Sequence, residues 1–418
     1  MSACRTFLLS ALAVLAASFN VARAEMPWMM PRSQPFFDIP WQAQHQACPW
    51  PWGVWTCEAT APNPRPPRIG PAPGAPGAPG ASACGPDGCP CEDPGAIDFG
   101  VHPIAHRKCG WWFTGDFVPL MYDSNAHSGF ANIGTTGVNV LNDNSLQTEL
   151  GAGGRYELGV ALTDCLAIEG SYNGHYSYKD EAGVRDTSAN ALGGIGNLSS
   201  PFSNFGVPAL IPGLDFNNFV NVSLRNRYST GDINFRYRVD SHPGPFDFFC
   251  LAGVRYLRID EAFRYHSESG APAAAINDVF VQTSNELWGP QLGLAGNIMV
   301  MDRYWVEVEA KGAVCNDSVS QQTVYTNSTA LGGINAFNTA AAEERTAWVG
   351  DFSIVGNYQL TPNLSFRCGY QATWVAGVGL GIANFQTNPQ VLTLGPGQLN
   401  HDRTAVYHGP VIGVTWQQ

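Results

Sequence analysis

Apolar and polar residues alternate with little interruption between Thr346 and Trp374. A period of two is the pattern of extended strands that carry one apolar and one polar face. The run Thr361-Pro362-Asn363 breaks the alternation with turn chemistry, because Pro fixes φ and Asn tolerates the left-handed region. A three-residue loop leaves the apolar residues of both strands on one face, so the segment predicts a β-hairpin. Its apolar positions are Trp348, Phe352, Ile354, Tyr358, Leu360, Leu364, Phe366, Tyr370 and Trp374.

The same hairpin pattern recurs around residues 163–165 and 301–303. Short connections alternate with long polar ones, which is the layout of bacterial outer-membrane barrels. The pattern predicts an all-β fold, a transmembrane antiparallel up-and-down β-barrel of about ten strands within a range of about eight to twelve. The predicted strands cover residues 110–122, 147–162, 166–179, 217–238, 247–265, 282–300, 304–325, 344–360, 364–385 and 403–416. The apolar parity switches between Leu224 and Ile233, which predicts a β-bulge there.

The spacing of aromatic residues favours lipid as the partner of the apolar face. Trp348 and Tyr358 lie ten residues apart. At roughly 3.3 Å per residue this is about 33 Å along a strand. A tilt of around 40° reduces it to about 25 Å, the height between the aromatic girdles of an outer-membrane barrel. The rival interpretation is a secreted β-sandwich whose apolar faces pack against each other.

Residues 1–24 have the pattern of a secretory signal peptide. Arg5 precedes the apolar run FLLSALAVLAASF, and Ala22-Arg23-Ala24 is a cleavage motif, so cleavage is predicted after Ala24. No run of eighteen apolar residues follows, so no transmembrane helix is predicted and only a closed barrel would cross a second membrane. The predicted location is the cell outer membrane. The net charge of −12 and the lack of a basic patch give no support to nucleic-acid binding.

Residues 25–98 form a Pro-, Gly- and Cys-rich extension that we expect to be largely disordered, and the barrel region follows at 109–418. Ten cysteines remain after signal cleavage, and export makes disulfides their default state. A local disulfide between Cys48 and Cys57 is predicted because the loop that it would close is short. The run CGPDGCPC at residues 84–91 does not follow a recognised zinc spacing, so no metal or cofactor is predicted.

Charged side chains on the polar face of the predicted strands would point into a narrow lumen. The predicted lumen-lining residues are Arg155, Glu157, Glu169, Glu307, Glu309, Lys311, Asp351 and Arg367, and the same face carries Asp116, His175, Arg225, Arg227, Arg236 and Arg255. Buried charges require partners, so one interpretation is an ion-pair network that fills the barrel. The other is the lining of a narrow mixed-charge channel.

No enzymatic activity is predicted. An outer-membrane protease or lipase would need a nucleophile, a base and an orienting carboxylate grouped at the rim, and the sequence shows no known catalytic motif. His175, with Asp180 and Glu181, is the one acid–base grouping that stands out. A solvated histidine near a loop is the simpler interpretation of it.

Three stretches, GVRYLRIDEAF (253–263), GPQLGLAGN (289–297) and TPNLSFRCGYQATWVAGV (361–378), resemble a family of outer-membrane β-barrel porins found mainly in planctomycetes. The resemblance covers roughly residues 109–418 and leaves the Pro-rich extension outside. It implies a barrel in the outer membrane more directly than any transport activity, and it implies no site residues.

The predicted function is a porin-like barrel that allows narrow passive passage of small polar solutes. Eight strands only just enclose side chains and open pores have about sixteen to eighteen, so ten strands allow at most a narrow passage. Small inward residues leave room for one: Gly151, Gly153, Gly293, Gly369 and Gly413. The alternative is a structural or surface-binding barrel with a plugged lumen. The expected partners are outer-membrane lipid and the barrel-assembly machinery, through the last strand with its Trp416; the oligomeric state is left open.

Overall fold

Fourteen antiparallel strands make up one sheet in the computed structural model. It describes residues 110–126, 128–134, 137–146, 150–163, 165–187, 196–203, 205, 215–239, 246–270, 275–329, 334–385 and 399–418. The strands are β1 (Trp111–Phe117), β2 (Met121–Ser124), β3 (Gly129–Ile133), β4 (Asn139–Asn142), β5 (Gly154–Ala161), β6 (Leu166–Arg185), β7 (Leu198–Ser199), β8 (Asn217–Val239), β9 (Phe246–Ser269), β10 (Ala275–Met301), β11 (Tyr304–Thr329), β12 (Ile334–Thr361), β13 (Leu364–Val378) and β14 (Arg403–Gln417). Within the described residues, short 3₁₀ helices lie at Asp143–Ser145, Pro201–Ser203 and Ile382–Asn384.

Ten of the strands close into a ring in which each pairs with its neighbours in the chain order of the ring strands. The order is β1-β5-β6-β8-β9-β10-β11-β12-β13-β14, and β14 pairs with β1 to close it. A closed ring leaves no unpaired sheet edge, which is the condition for a sheet to lie in lipid. The predicted up-and-down barrel of about ten strands is therefore confirmed.

Four shorter strands lie off the ring. β2 continues the line of β1 and pairs with β14, whereas β3, β4 and β7 form a small sheet of their own that meets the ring at β8. Phe130 on β3 and Leu198 on β7 are fully buried, and Phe130 packs on Phe263, which points inward from β9. The small sheet thus fills the inside of the barrel at the end that carries the long connections.

A continuous apolar band surrounds the lower part of the ring. Its side chains are exposed although they are large and apolar, as expected for a surface that faces lipid. On β10 the band covers residues 288–300, on β11 residues 304–314 and on β12 residues 348–360. Above it β10 turns polar on the same outer face, with Glu286, Ser284 and Gln282. Strands of 26 to 28 residues therefore extend well past the membrane, which explains why they start earlier or end later than predicted.

The parity change on β8 has a different origin from the predicted bulge. Between Leu224 and Ile233 the pairing of β8 with β9 shows no register shift. Leu224 is buried inside the barrel, since the interior above the lipid band is apolar, whereas Ile233 precedes the exposed Phe235 and Tyr237 on the outer face. The prediction of a bulge at this position is therefore wrong.

The bulge lies in β6 instead. The pairing of β6 with β8 shifts between Asn173 and Tyr176, and His175 has a φ of 71°. The inserted residue exchanges the two faces of the strand. Tyr176 and Tyr178, which uninterrupted alternation from Leu166 and Ile168 would place on the lipid face, are consequently buried in the interior.

Free thiols occur at Cys250, Cys315 and Cys368, whereas Cys165 is disulfide-bonded. The expectation that exported cysteines pair does not hold at these three positions. A disulfide needs two Cβ atoms about 3.5–4.5 Å apart, and the residues paired with Cys368 on the neighbouring strands are Gly356 and Ile412.

The predicted signal peptide, the extension 25–98 and the Cys48–Cys57 disulfide lie outside the described residues. Within the described part of the chain, no helix is long and apolar enough to cross a membrane.

Replacing Phe352 with Arg is expected to destabilise the folded barrel by about 2–4 kcal/mol, because the side chain lies at mid-band on the lipid face. The matched control is Thr346→Arg, on the same strand and outer face but above Trp348, where the expected cost is about 0–1 kcal/mol. Ser353 is a poor control, because it is buried beside the lumen cations. Urea unfolding of barrels reconstituted in vesicles measures the difference. Equal costs for the two arginines would contradict the assigned lipid face.

Candidate functional site: a charged belt in the barrel lumen

A belt of charged side chains crosses the lumen at the level of the lipid-facing band. Strand alternation places them there: on β11, for example, Glu309 and Lys311 point inward while Val308 and Ala310 do not. The charged belt consists of five cations, Arg155, Arg236, Arg255, Lys311 and Arg367, and seven anions, Asp116, Glu157, Glu169, Asp232, Glu307, Glu309 and Asp351. The belt therefore carries a formal excess of two negative charges.

Short ion pairs link members of the belt on the same strand or on neighbouring strands. Arg236 Nη1 lies 3.2 Å from Glu169 Oε2, and Lys311 Nζ lies 2.8 Å from Glu309 Oε1. Arg255 Nη2 lies 3.2 Å from Asp232 Oδ2. Pairing of this kind is what allows charges to be taken out of bulk water.

Further ion pairs join strands that are not neighbours in the ring. Arg367 Nη1 on β13 lies 3.1 Å from Glu307 Oε2 on β11, and Arg236 Nη2 on β8 lies 3.9 Å from the other oxygen of Glu307. Arg155 on β5 reaches Glu309 on β11 at 3.8 Å. These contacts pass through the interior, so the belt narrows the lumen and braces opposite walls against each other.

A cavity of about 30 Å³ remains inside the belt, lined by Arg155, Asp232, Arg255, Glu309, Lys311, Asp351 and polar neighbours that include Ser171, Asn173 and Gln371. Among the described residues, Arg255 Nε and Nη1 and Asp351 Oδ1 have no hydrogen-bond partner. A volume of this size has room for about two water molecules, and the walls offer them polar partners. The belt therefore encloses a small polar space with room for water.

A layer of five tyrosines covers the belt on the side of the long connections. Its members are Tyr122, Tyr176, Tyr178, Tyr228 and Tyr407. Tyr228 and Tyr407 stack with ring centroids 4.1 Å apart, and Tyr122 lies 5.2 Å from Tyr407. We call this group the tyrosine layer. The tyrosine layer separates the charged belt from the apolar part of the barrel interior that lies above it.

An aromatic plug fills that interior, made of Phe130, Phe202, Phe263, Tyr265 and Phe385. Phe385 is its centre, since its ring lies 5.1 Å from Phe263 and 5.3 Å from both Phe202 and Tyr265. Phe130 and Phe202 come from the inner strands and the 3₁₀ helix Pro201–Ser203, whereas Phe263 and Tyr265 belong to the ring. In this conformation the plug closes the lumen above the tyrosine layer.

The segment that carries Phe385 enters the barrel directly after β13. Gly377 has a φ of +86°, which is open to glycine, and the residues from Gly379 to Phe385 then run inside the wall. Asn285 holds the segment at its start: Asn285 Nδ2 donates to Gly379 O at 2.9 Å, and Gly379 N donates to Asn285 Oδ1 at 2.8 Å. We call residues 379–385 the inner segment.

Glu261 holds the inner segment further along. Its carboxylate accepts hydrogen bonds from the backbone N–H groups of Gly381 and Ile382, from Tyr122 Oη at 2.7 Å and from Asn226 Nδ2 at 3.3 Å. Burial raises the pKa of Glu261, because desolvation outweighs these hydrogen bonds to the charged form. Burial also raises the pKa of Asp317, which lies on β11 just above the lipid band, to about 7.

The room that small inward residues were expected to leave is taken by their neighbours. A Cβ on Gly153 would meet the ring of Tyr176, and one on Gly151 would meet the ring of Tyr178. Both rings reach this space because the bulge in β6 turned them inward. A Cβ on Gly413 would meet Asp116 of the belt, and one on Gly293 would meet Lys311. A Cβ on Gly369 would meet the backbone of the neighbouring strand β12.

The structure brings all eight predicted lumen residues into the belt, together with Asp116, Arg236 and Arg255. It places His175, Arg225 and Arg227 on the outer wall instead, so their assignment to the lumen is wrong. The β6 bulge turns His175 outward, and the alternation of β8 without a bulge turns the two arginines outward. Asp232 was missed, although it shares the inward parity of Arg236.

The sequence also missed an acid–base group on the outer wall. His266 Nδ1 lies 3.0 Å from Asp278 Oδ1, and His266 Nε2 lies 3.1 Å from Glu268 Oε1. The hydrogen bond to Asp278 is the main reason why the pKa of His266 is raised. The predicted grouping of His175 with its neighbours is split, because His175 and Glu181 point outward while Asp180 lies on the opposite face. The signal that could have been noticed is Glu268, an acid two residues from His266 and therefore on the same face of the strand.

A closed ring of ten strands with a lipid-facing band and a charged interior defines a β-barrel of the outer membrane. The family model described as "Putative beta barrel porin-7 (BBP7)" matches residues 110–415. The chain belongs to this family. It is a porin-like barrel of the outer membrane, embedded in membrane lipid.

Solved outer-membrane proteins are similar to this chain at low sequence identity. The outer membrane protease OmpT of Escherichia coli is 9% identical over 74% of this chain and 97% of its own, with a TM-score of 0.38. A major outer membrane protein of Thermus thermophilus is 9% identical over 74% and 99%, with a TM-score of 0.28. OprG of Pseudomonas aeruginosa is 9% identical over 75% and 98%, with a TM-score of 0.25. No curated protein matches the chain.

Proposed function

We propose that the barrel passes small polar solutes in a narrow, passive manner and favours cations over anions. The charged belt carries this proposal, because its seven anions and five cations line the constriction with a negative excess. A ring of acidic side chains at a constriction selects for cations. The polar cavity lined by Arg255, Asp351 and their neighbours supports a polar path at this level.

Passage requires that the inner segment move. The aromatic plug blocks the path above the belt. Of its five residues only Phe385 lies on the inner segment, which Asn285 and Glu261 hold by hydrogen bonds. The ring strands themselves need not change, since the inner segment is a connection between β13 and β14 and pairs with neither. Small, infrequent conductance steps are the expected behaviour.

Opposite charge changes in the belt are expected to shift ion selectivity in opposite directions. Glu309→Gln reduces the negative excess and should lower the preference for cations, whereas Arg155→Gln increases the excess and should raise it. The control is Glu343→Gln, which removes an exposed carboxylate outside the belt. Reversal potentials of single channels under a KCl gradient measure the shift, and heat-modifiable gel mobility shows that each variant has folded. Parallel shifts in the two belt variants would contradict the proposal.

A closed structural or surface-binding barrel is the second candidate. The observation that favours it is the packing of the tyrosine layer and the aromatic plug across the upper lumen. A silent planar bilayer with verified insertion of folded protein would support this candidate over the channel.

The proposal includes no catalytic activity. Its support is the family, together with the placement of the acid–base group around His266 on the outer wall. Ser267, the hydroxyl next to that histidine, is buried on the other face of β9.

For partners, we propose that the barrel-assembly machinery recognises β14. Trp416 stands exposed near the end of this strand, and its ring centroid lies 4.4 Å from that of Trp111.

A further inference from the structure

Two cations face each other on the outer wall of the barrel without a carboxylate between them. Lys179 on β6 and Arg225 on β8 are direct partners in the sheet register, and both side chains are exposed. Like charges in this position repel and destabilise the strand pair. Arg227, the next outward residue on β8, adds a third positive charge beside them.

The nearby carboxylates on this wall already have other partners. Asp260 accepts from Arg258 Nε at 2.8 Å and from Ser284 Oγ at 2.6 Å. Glu181 accepts from Asn221 Nδ2 at 2.6 Å. Throughout the described part of the chain, no carboxylate forms an ion pair with Lys179 or Arg225. The pair therefore presents positive charge to whatever lies against the wall.

Two of the neighbouring outward positions carry small side chains, which leaves space beside the cations. Ser177 is the partner of Arg227 on β6, and Ala262 is the partner of Arg225 on β9. Directly paired residues have Cβ atoms about 5 Å apart. A phosphate group can sit between side chains at that distance and accept hydrogen bonds from both.

The height of the patch matches the headgroup region of the membrane. Val239 marks the lower edge of the lipid band on β8, and Arg227 lies twelve residues further up the wall. At roughly 3.3 Å per residue and a tilt of about 40°, this is about 30 Å. The lipid band also covers twelve residues on β10 and on β12, so Arg227 stands at its upper edge and Arg225 stands two residues above that edge.

We propose that Lys179 and Arg225, with Arg227 beside them, bind the phosphate group of a lipid in the leaflet around the upper end of the barrel. The patch faces lipid rather than the lumen and stands at headgroup height. Lys179 and Arg225 supply it with positive charge that no ion pair within the described residues compensates. Cations near a membrane surface attract anionic lipids in this manner. The site is independent of whether the lumen conducts.

Native mass spectrometry of the detergent-solubilised barrel tests the site, with phosphatidic acid as the probe and diacylglycerol as its phosphate-free match. The wild type should retain phosphatidic acid in preference to diacylglycerol. The variant Lys179→Gln/Arg225→Gln should lose about twenty-five-fold in affinity for phosphatidic acid, since each cation contributes about fivefold near a surface. These side chains are exposed, so the variant should fold, and heat-modifiable mobility checks that it does.

The matched control removes the same two charges elsewhere. Arg238→Gln/Arg345→Gln changes two arginines that are already paired, with Asp247 and Glu343, and that lie away from the patch, so it should leave the retention of phosphatidic acid unchanged. Equal losses in both double variants, or equal retention of diacylglycerol by the wild type, would overturn the proposal. Displacement of the lipid by inorganic phosphate at equal concentration would assign the patch to a free anion instead.

Discussion

Replacing Phe385 with Ala is expected to raise the open probability of the channel by a factor on the order of 10² or more. Phe385 is the centre of the aromatic plug and contacts Phe263, Phe202 and Tyr265. Truncation of a buried Phe to Ala costs about 3–5 kcal/mol. That loss falls on the closed conformation, because the contacts with the plug exist only while the inner segment lies inside the barrel. A shift of about 1.4 kcal/mol changes a two-state ratio tenfold.

The matched control is Phe366→Ala. Phe366 lies on β13, the strand that leads into the inner segment, but its ring points to lipid. The same truncation there should change the stability of the barrel without changing the open probability. Single-channel recording of both variants at equal insertion separates the two effects. If the Phe385 variant conducts no more than the wild type, the inner segment is not what closes the lumen.

Much of the barrel could be predicted because ring strands obey one rule. Residues of β10, β11, β12 and β13 within the lipid band alternate between lipid and lumen, and turn chemistry separates them. The members of the charged belt on β11 follow from the same alternation: once Val308 faces lipid, Glu309 must face the lumen. Periodicity alone therefore assigns this part of the site.

Above the lipid band the same alternation misled, because the interior there changes from charged to apolar. Tyr176 and Leu224 resemble lipid-facing residues in sequence, yet both are buried inside the barrel. One reaches the interior through the bulge at His175 and the other without any bulge. Nothing local in the sequence distinguishes the two cases, since the difference lies in what the strands pack against.

The inner segment could not be predicted for a related reason. Residues 364–385 alternate well enough to extend a strand, but β13 ends at Val378. The positive φ of Gly377 takes the chain out of the sheet, and the partners that hold it inside, Asn285 and Glu261, are about 90 and 120 residues away in sequence. Long-range hydrogen bonds of this kind leave no periodic signature.

Raising the pH from about 4 to 8 is expected to increase the conductance of the wild type. Burial raises the pKa of Glu261 above its ordinary value of 4.5, so the plugged conformation binds the proton more tightly than an open, hydrated one. The plug is then most stable below pH 4.5 and loses stability as the pH rises through the raised pKa. Burial also raises the pKa of Asp317 from 3.8 to about 7, and Asp317 lies two residues from Val319, the side chain that a Cβ on Gly379 would meet, so opening at this point acts in the same direction. Each unit of pKa difference corresponds to about a tenfold change in the closed-to-open ratio.

The variant Glu261→Gln/Asp317→Asn should remove this dependence, because neither position can then ionise. Open probability in planar bilayers, recorded at each pH with both chambers buffered alike, provides the measurement. His266→Gln is the matched control: His266 also titrates in this range, since its pKa is raised from 6.5, but it lies on the outer wall and makes no contact with the inner segment. A pH dependence that persists in the double variant and vanishes in the His266 variant would move the sensor from the lumen to the outer wall. Loss of the dependence in the double variant alone would show that the buried carboxylates set how firmly the lumen is closed, Glu261 through the backbone of Gly381 and Ile382.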